Sequence, residues 1–320
     1  MRDLGRGHRN CLRNTCVSAN TTNAIRQRFL PQRAVHPIRL PRSHVSPPRF
    51  LKVLFILVLI TADDPSHLGR LDYTSFSTQA LMEIFIQGIE NREVICGSAD
   101  EPEDIDKWRG FEYSQEQPVD GVVRHFTIDW DALDLVGTID LQWLPPTVRS
   151  LGAIKNKLSG SLDLTKLPPS IKSLTLGFNK FSGEIELLCL PAGIEMLSVA
   201  HNQLSGSLNL EALPSSIKGL YVSGNRFTGT VCLLTLPQEL ANLYLGKNEL
   251  SGTVDLTCLP ATMTELDLNQ NNFEGKTDFS QLPEDLRLLD VSYTNLSGKI
   301  VVQNRATRFL VGHSKIQLIE

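Results

Sequence analysis

The clearest pattern in the chain is a short alternation of apolar and polar residues that returns every 23 positions. In each copy two apolar residues flank one other residue, as in Leu174 and Leu176 or Leu266 and Leu268. Successive side chains of a β-strand point to opposite sides, so the alternation predicts a short strand with both apolar residues facing a core. The constant spacing predicts that these strands stack as equivalent turns of one array.

Asparagine and glycine recur in the same register. Because the Asn side chain both donates and accepts hydrogen bonds, a stack of asparagines predicts a structural ladder that satisfies backbone groups where the chain leaves each strand. A glycine four residues later, present in eight copies, predicts a tight bend. The Leu-x-Leu pair after it, as in Leu162 and Leu164, is a candidate second strand. The ladder residues are Asn156, Asn179, Asn202, Asn225, Asn248 and Asn271.

Read as one unit, the repeat runs Leu-Pro-x-x-Ile/Leu-x-x-Leu-x-Leu-x-x-Asn-x-Leu/Phe-Ser-Gly, with eight copies over residues 122–302. It resembles the leucine-rich repeat family. The Asn-x-Leu-Ser-Gly-x-Leu piece is similar to plant-type repeats, and the 23-residue unit with Leu-Pro is similar to repeat proteins of kinetoplastid protists. The resemblance implies an α/β repeat solenoid, with short parallel strands on a concave face and irregular or 3₁₀ segments on the convex side.

The segments on either side of the repeats are expected to cover the ends of the array, because a stack of turns otherwise exposes its core. Residues 63–121 are predicted to form an N-terminal cap. Within it, residues 77–89 predict a helix with Leu81, Ile84, Phe85 and Ile89 on one face. Residues 303–320 lack the repeated Pro and Asn and are predicted to form a C-terminal cap.

The first 62 residues differ in charge from the rest of the chain. They carry 11 Lys and Arg against one acid, and near their end lies an apolar segment of 11 residues with one Lys, at 50–60. Three interpretations stay open for this basic leader: a secretory signal cut after Ala62, an organellar transit peptide, or a non-native extension with the true start at Met82. The compartment depends on the choice. The protein is secreted or at the cell surface if segment 50–62 acts as a signal, and cytoplasmic otherwise. Membrane association is left open.

Residues 63–320 carry a net charge of −14, which argues against nucleic acid as a partner because phosphate binding needs clustered cations. In the repeats, no Cys or His residues have the spacing of a zinc site. The acidic run 100–106 lacks the Gly and the terminal Glu of a calcium-binding loop. Cys189 and Cys258 lie three repeats apart, about 14 Å at ~4.8 Å per strand, so we expect buried thiols rather than a disulfide. His125 and His201 accompany no nucleophile motif, so no enzyme activity, metal or cofactor is predicted.

The strand residues beside the inward leucines are predicted to point away from the core and to form the binding surface. Their centre combines small polar residues with two tyrosines on adjacent strands, and acidic residues lie toward both ends. Tyrosine is a frequent anchor of protein interfaces. The candidate binding residues are Met196, Tyr221, Asn242, Tyr244, Glu265, Asp267 and Asp290.

The function predicted from this surface is a non-enzymatic scaffold that binds another protein, expected to be basic, through the concave face. The alternative is a secreted or cell-surface recognition module for a glycan or host molecule, which needs segment 50–62 to act as a signal. Both rest on fold-level analogy, since a fold by itself does not specify a function.

Overall fold

The computed structural model describes residues 76–113, 124–302 and 306–319, all within the unit Pro47–Glu320. The basic leader and the first part of the predicted N-terminal cap lie outside the described residues. Among the described helices, none has the length and apolar content needed to cross a membrane.

Two β-sheets make up the repeats, and each turn of the chain adds one strand to each sheet. In the described part of the chain, the ten-stranded sheet has the order β1-β2-β4-β6-β8-β10-β12-β14-β16-β18. Its strands are β1 Phe111–Tyr113, β2 Phe126–Asp129, β4 Val148–Gly152, β6 Ser173–Thr175, β8 Met196–Ser198, β10 Gly219–Tyr221, β12 Asn242–Tyr244, β14 Glu265–Asp267, β16 Leu288–Asp290 and β18 Arg308–Leu310.

The nine-stranded sheet has the order β19-β17-β15-β13-β11-β9-β7-β5-β3 over the same described ranges. Its strands are β3 Val136–Thr138, β5 Lys157–Gly160, β7 Lys180–Glu184, β9 Gln203–Ser207, β11 Arg226–Gly229, β13 Glu249–Gly252, β15 Asn272–Lys276, β17 Asn295–Val301 and β19 Lys315–Ile319. Neighbouring strands pair in parallel in both sheets, except that β1 pairs antiparallel with β2. The predicted solenoid of short parallel strands is therefore confirmed.

The second strand of each turn does not lie where the sequence suggested. It covers the residues from just after the ladder asparagine to the glycine, as in Lys157–Gly160. Leu162 and Leu164, the candidate strand residues, follow the bend; Leu164 begins a 3₁₀ helix, Leu164–Lys166. Both leucines are buried in the core. The backbone turns at the glycine, where φ is +94° at Gly160, and this ends the extended run.

The asparagine ladder is present as predicted, with each side chain joining its own turn to the one before. Asn225 Oδ1 accepts from the Leu204 N–H at 3.0 Å. Its Nδ2 donates to the carbonyl oxygens of Val199 and Val222, each at 3.0 Å. The other five ladder residues repeat this pattern of one or two accepted bonds and two or three donated bonds. Thr294 occupies the equivalent position in the next turn, and its hydroxyl donates to Val291 O at 2.7 Å.

The core of the repeats is a stack of buried leucines with phenylalanines inserted at regular intervals. Two residues after each ladder position, one column reads Leu158, Phe181, Leu204, Phe227, Leu250, Phe273, Leu296, and all seven are fully buried. Large and smaller side chains thus alternate along the axis of the stack. This alternation fills the interior because each ring packs between two smaller neighbours.

The N-terminal cap contains one helix of two turns. Helix α1 spans Thr78–Phe85, and the Ser77 hydroxyl caps it by accepting from the Ala80 N–H. It ends four residues before the predicted limit, since Ile89 instead forms a bridge with Gly137. A one-turn helix α2, Glu93–Cys96, and a 3₁₀ helix, Ile105–Lys107, follow it.

Trp130 joins this cap to the first repeat. Its indole is buried, stacks on Phe85 with ring centroids 5.9 Å apart, and donates to Arg109 O at 2.9 Å. Trp130 therefore belongs to the core.

At the other end, residues 306–319 add one further strand to each sheet, β18 and β19. Ile316 is buried and Phe309 packs against the core, whereas Leu318 is 45% exposed.

The cysteines of the repeats are not buried as expected. Cys189 and Cys258 are exposed and Cys232 is half-buried, while Cys96 in the cap is buried. Cys189 and Cys258 each lie one residue before a leucine that turns toward the core, Leu190 or Leu259, and the turn directs the preceding side chain outward.

Candidate functional site

The candidate binding face is the outer side of the ten-stranded sheet. In strands β6, β8, β10, β12, β14 and β16 the middle leucine is fully buried, as Leu220 and Leu243 are, and the first and third residues share the other side. The strand register aligns the third residues across turns, so that Ser198, Tyr221, Tyr244, Asp267 and Asp290 form one row. The sequence prediction that these residues share one surface is consistent with this register.

Tyr221 and Tyr244, here called the tyrosine pair, stack on one another at the centre of this face. Their ring centroids are 5.1 Å apart with an interplanar angle of 29°, and both side chains are half-buried. The Tyr221 ring lies over Gly219, where an added Cβ would come within 2.7 Å of ring atom Cε2. The Asn242 side chain hydrogen-bonds to Tyr221. The pair is therefore held in one orientation before any partner binds.

Glu265 fixes the second ring of the pair. The Tyr244 hydroxyl donates a short hydrogen bond to Glu265 Oε2 on the next strand. Burial raises the pKa of Tyr244, and the bond to Glu265 raises it further. Burial also raises the pKa of Tyr221, with a second contribution from the Glu265 charge. Both phenols stay protonated at neutral pH, and the one hydrogen of the Tyr244 hydroxyl is engaged by Glu265.

Asp267 and Asp290 are much less accessible than the sequence suggested. Both are more than nine-tenths buried. Asp267 accepts from the Asn269 N–H at 2.9 Å, and burial raises its pKa from 3.8 to about 6. Asp290 accepts from the Ser292 hydroxyl at 2.6 Å and from Asn269 Nδ2 at 2.9 Å. These carboxylates support strand ends, and little of them remains to meet a partner.

Met196 and a charged triad border the pair on the N-terminal side. Met196 is 38% exposed, and its strand pairs with the strand of Tyr221. The triad was missed from the sequence; in it Glu195 accepts from Lys172 at 2.9 Å and from Lys218 at 2.8 Å. These bonds, chiefly the one from Lys218, lower the pKa of Glu195 to about 2. The signal that could have revealed it is the change of charge at one repeat position, Lys172, Glu195 and Lys218.

An exposed aromatic column along one edge of the face was also missed. The residue before each ladder asparagine has a left-handed backbone, with φ of +57° at Phe178 and +54° at His201. This geometry carries their side chains outward, and the two rings stack with centroids 4.2 Å apart. Tyr293 and His313 stack in the same way at 4.3 Å. Phe178 is 49% exposed and Tyr293 54% exposed, so both offer apolar surface to a partner.

The described residues offer no arrangement suited to metal binding: no group of three or more His, Cys, Asp or Glu side chains converges there. His125 Nδ1 lies 3.1 Å from the Thr147 carbonyl oxygen, and His201 stacks on Phe178. Burial lowers the pKa of His201, with a smaller contribution from Lys247. The chemistry available on this face is therefore aromatic, hydrogen-bonding and weakly acidic.

Comparison with known proteins finds similar solved structures but no matching family model and no matching curated protein. The crystal structure of PEPR1-AtPEP1 has 22% identity and a TM-score of 0.44, covering 57% of this chain and 27% of that chain. The ectodomain of GASSHO1/SCHENGEN3 from Arabidopsis thaliana, in complex with CASPARIAN STRIP INTEGRITY FACTOR 2, has 17% identity and a TM-score of 0.46, covering 76% and 38%. YopM from Yersinia enterocolitica WA-314 has 25% identity and a TM-score of 0.40, covering 55% and 40%.

This chain thus spans well under half the length of these three proteins. The fold is established by features of the chain itself. Its turns repeat every 23 residues, its strands pair in parallel in two sheets, and asparagines hydrogen-bond each turn to the one before. These features together make the chain a leucine-rich repeat solenoid.

Proposed function

We propose that this chain is a non-enzymatic scaffold that binds another protein through the outer side of its ten-stranded sheet. The observation that carries the proposal is the tyrosine pair, which is stacked, half-buried and held by Asn242 and Glu265. Tyrosine gives a large contact area and a polar tip at a low cost in conformational entropy. Rings already fixed in place lose little further entropy on binding.

The surroundings of the pair indicate the chemistry of the partner. Ser198 is a small, half-buried residue beside the pair, and the exposed part of Met196 adds apolar surface. Toward the N-terminal end, Asp129 and Asp131 are exposed carboxylates. A segment with an apolar side chain over the pair and a basic group toward these acids fits this face.

The test begins with a photo-crosslinking amino acid placed at Ser198, beside Tyr221, in the protein expressed in its own cells. The matched control carries the same amino acid at Thr228, which is exposed on the nine-stranded sheet. A protein captured from Ser198 and not from Thr228 is then purified, and its dissociation constant is measured directly.

The decisive comparison is between the double variant Tyr221→Ala/Tyr244→Ala and the control Leu188→Ala/Leu234→Ala, which removes two exposed apolar side chains outside the ten-stranded sheet. We expect the double variant to bind at least about tenfold more weakly, because central aromatic anchors dominate interface energies. The control is expected to bind like the wild type. Equal affinity of the double variant and the wild type would refute the role of the tyrosine pair.

A further inference from the structure

A groove lined by three lysines lies at the C-terminal end of the nine-stranded sheet, away from the tyrosine pair. It has a volume of about 750 Å³. Lys276, Lys299 and Lys315 border it, one from each of the last three strands β15, β17 and β19. All three side chains are exposed, and among the described residues none forms an ion pair within 4.0 Å. The concentration of positive charge is notable because residues 63–320 carry a net charge of −14.

The strand register brings these lysines together on one side of the sheet. Lys276 pairs with Ser297, and Ser297 pairs in turn with Lys315. Parallel strands lie about 4.8 Å apart, so the backbones of Lys276 and Lys315 are about 10 Å apart with Ser297 between them. Lys299 lies two residues beyond Ser297 and so points to the same side. The three flexible side chains can therefore converge over Ser297.

The groove contains polar groups besides the lysines. The Thr277 hydroxyl is buried, with the residue 4% exposed, and it has no hydrogen-bond partner among the described residues. Gln317, which pairs with Lys299, adds an exposed amide. A buried hydroxyl without a partner is costly, and a ligand oxygen that accepts from it would remove the cost.

Carboxylates near the groove do not cancel its charge. Asp278 also borders it; the bond from the Ser280 N–H at 2.9 Å, with a smaller contribution from the Lys276 charge, lowers its pKa, so it stays ionised and offsets one of the three positive charges. Glu274 lies two residues before Lys276 on the same strand and pairs with Asn295, one step away from the groove. The three lysines and Asp278 leave a net charge of about +2 on the lining at neutral pH.

We propose that this groove binds a phosphate or sulfate ester, with Lys276, Lys299 and Lys315 around the oxyanion. Ammonium groups on flexible stems bind such anions as point charges, and charge-assisted hydrogen bonds are the strong kind. The spacing of about 10 Å suits a ligand that carries more than one ester group. The site is independent of the tyrosine pair and lies on the other sheet.

The experiment measures binding of two probes, inositol hexakisphosphate and sucrose octasulfate, to the full chain by calorimetry at 0.15 M salt. The groove variant is Lys276→Gln/Lys299→Gln/Lys315→Gln. The control variant, Lys107→Gln/Lys166→Gln/Lys180→Gln, removes the same charge from exposed lysines outside the groove. The control is needed because the basic residues 1–62 also attract anions.

We expect the groove variant to bind about tenfold more weakly than the wild type and the control variant to stay within about twofold. The variant Thr277→Val, which replaces only the hydroxyl, is expected to bind about threefold more weakly. Stronger binding of the phosphate probe or of the sulfate probe identifies the source of the ester. Failure of both probes to bind, or equal losses in the groove and control variants, would overturn the proposal.

Lysine footprinting locates the site independently of affinity. The full chain is acetylated with and without saturating probe, and each lysine is quantified by mass spectrometry. Protection of Lys276, Lys299 and Lys315 relative to Lys180 supports the groove. Equal protection of Lys180 and the three groove lysines, or protection confined to Lys52, the one lysine of residues 1–62, contradicts it.

Discussion

The carbonyl oxygen of Val199 accepts a hydrogen bond of 3.0 Å from Nδ2 of Asn225, one turn later in the solenoid. Replacing Asn225 with Ala leaves the Leu204 N–H without its partner. It also removes one of two asparagine hydrogen bonds from each of the Val199 and Val222 carbonyl oxygens, which keep the bonds from Asn202 and Asn248. We expect Asn225→Ala to lower the free energy of unfolding by about 3 kcal/mol, because a buried N–H left unpaired costs about 1–3 kcal/mol and each further lost hydrogen bond about 0.5–1.5 kcal/mol. Urea denaturation followed by circular dichroism measures the loss.

The control for this variant is Asn209→Ala. Asn209 is exposed and its side chain accepts from the Glu211 N–H at 3.0 Å in the outer turn. Asn209→Ala is expected to lower the free energy of unfolding by about 0.5–1 kcal/mol. If the two variants were equally destabilised, the ladder would contribute no more than an ordinary surface turn.

Asp267 predicts a pH dependence of stability. Its folded pKa of about 6 lies above its ordinary value of 3.8, so the folded state binds more protons than the unfolded state between these pH values. The contribution of this group is therefore most favourable below about pH 4 and is lost as pH rises through 6. We expect Asp267→Asn to stabilise the protein at pH 7 by about 2 kcal/mol, with the gain vanishing near pH 4. Urea denaturation at several pH values measures the gain at pH 7 and its disappearance near pH 4.

Glu195 provides a comparison of opposite sign. Its pKa is lowered from 4.5 to about 2 by Lys218 and Lys172, so its contribution is present above pH 4.5 and lost as pH falls toward 2. Between pH 4.5 and 6, Glu195→Gln is expected to show the same change of unfolding free energy with pH as the wild type. If Asp267→Asn also kept this change of unfolding free energy with pH, a group other than Asp267 would be its cause.

Two glycines at equivalent positions in different turns should respond differently to an added methyl group. A Cβ on Gly246 would lie 2.6 Å from Oδ2 of Asp267, whereas a Cβ on Gly312 would have no heavy atom within 4 Å. Because the Asp267 carboxylate is buried and bonded to Asn269, it cannot move away freely. We expect Gly246→Ala to lower the free energy of unfolding by about 1–2 kcal/mol, and Gly312→Ala to change it by less than about 0.5 kcal/mol.

The same denaturation experiment decides this comparison. Equal stabilities of the two alanine variants would mean that the face around Asp267 repacks readily. The tyrosine pair, which lies next to Asp267 in the strand register, would then have a less rigid support.

Cys258 and Cys96 are expected to react with iodoacetamide at different rates. Cys258 is exposed, whereas Cys96 is buried and burial raises the pKa of its thiol. Since the thiolate is the reactive form, we expect labelling of Cys258 to be at least about tenfold faster at pH 8. Mass spectrometry of peptides from a time course measures both rates in one sample. Similar rates in the native protein would contradict the burial of Cys96.

The sequence predicted the solenoid well because its signals are repeated and local. Each Leu-x-Leu pair and each ladder asparagine has the same role in every turn, so one correct interpretation extends to all of them. The second strand was misplaced because its residues, as in Lys157–Gly160, alternate less clearly than the pair after the bend. The exposure of Cys258 was missed because spacing gives the distance between turns and not the direction of a side chain within a turn.

The candidate face was predicted in position but only partly in its chemistry. Strand period and register bring Tyr221 and Tyr244 together, and these follow from the sequence. Burial of Asp267 depends on Gly246 in the adjacent turn, a contact that no pattern along the chain reveals. The triad of Lys172, Glu195 and Lys218 and the lysine groove likewise depend on charges compared across turns rather than along one.

The alternation of leucine and phenylalanine in the inner column gives this array a second period, because Phe181, Phe227 and Phe273 are each separated by two turns. A genetic duplication of one 23-residue unit would keep every hydrogen-bond partner but would place two rings, or two leucines, in adjacent layers. That overfills or underfills the interior, at a cost of about 1–3 kcal/mol. A duplication of two units avoids this cost, so the neutral step by which such a gene can lengthen or shorten is a pair of repeats.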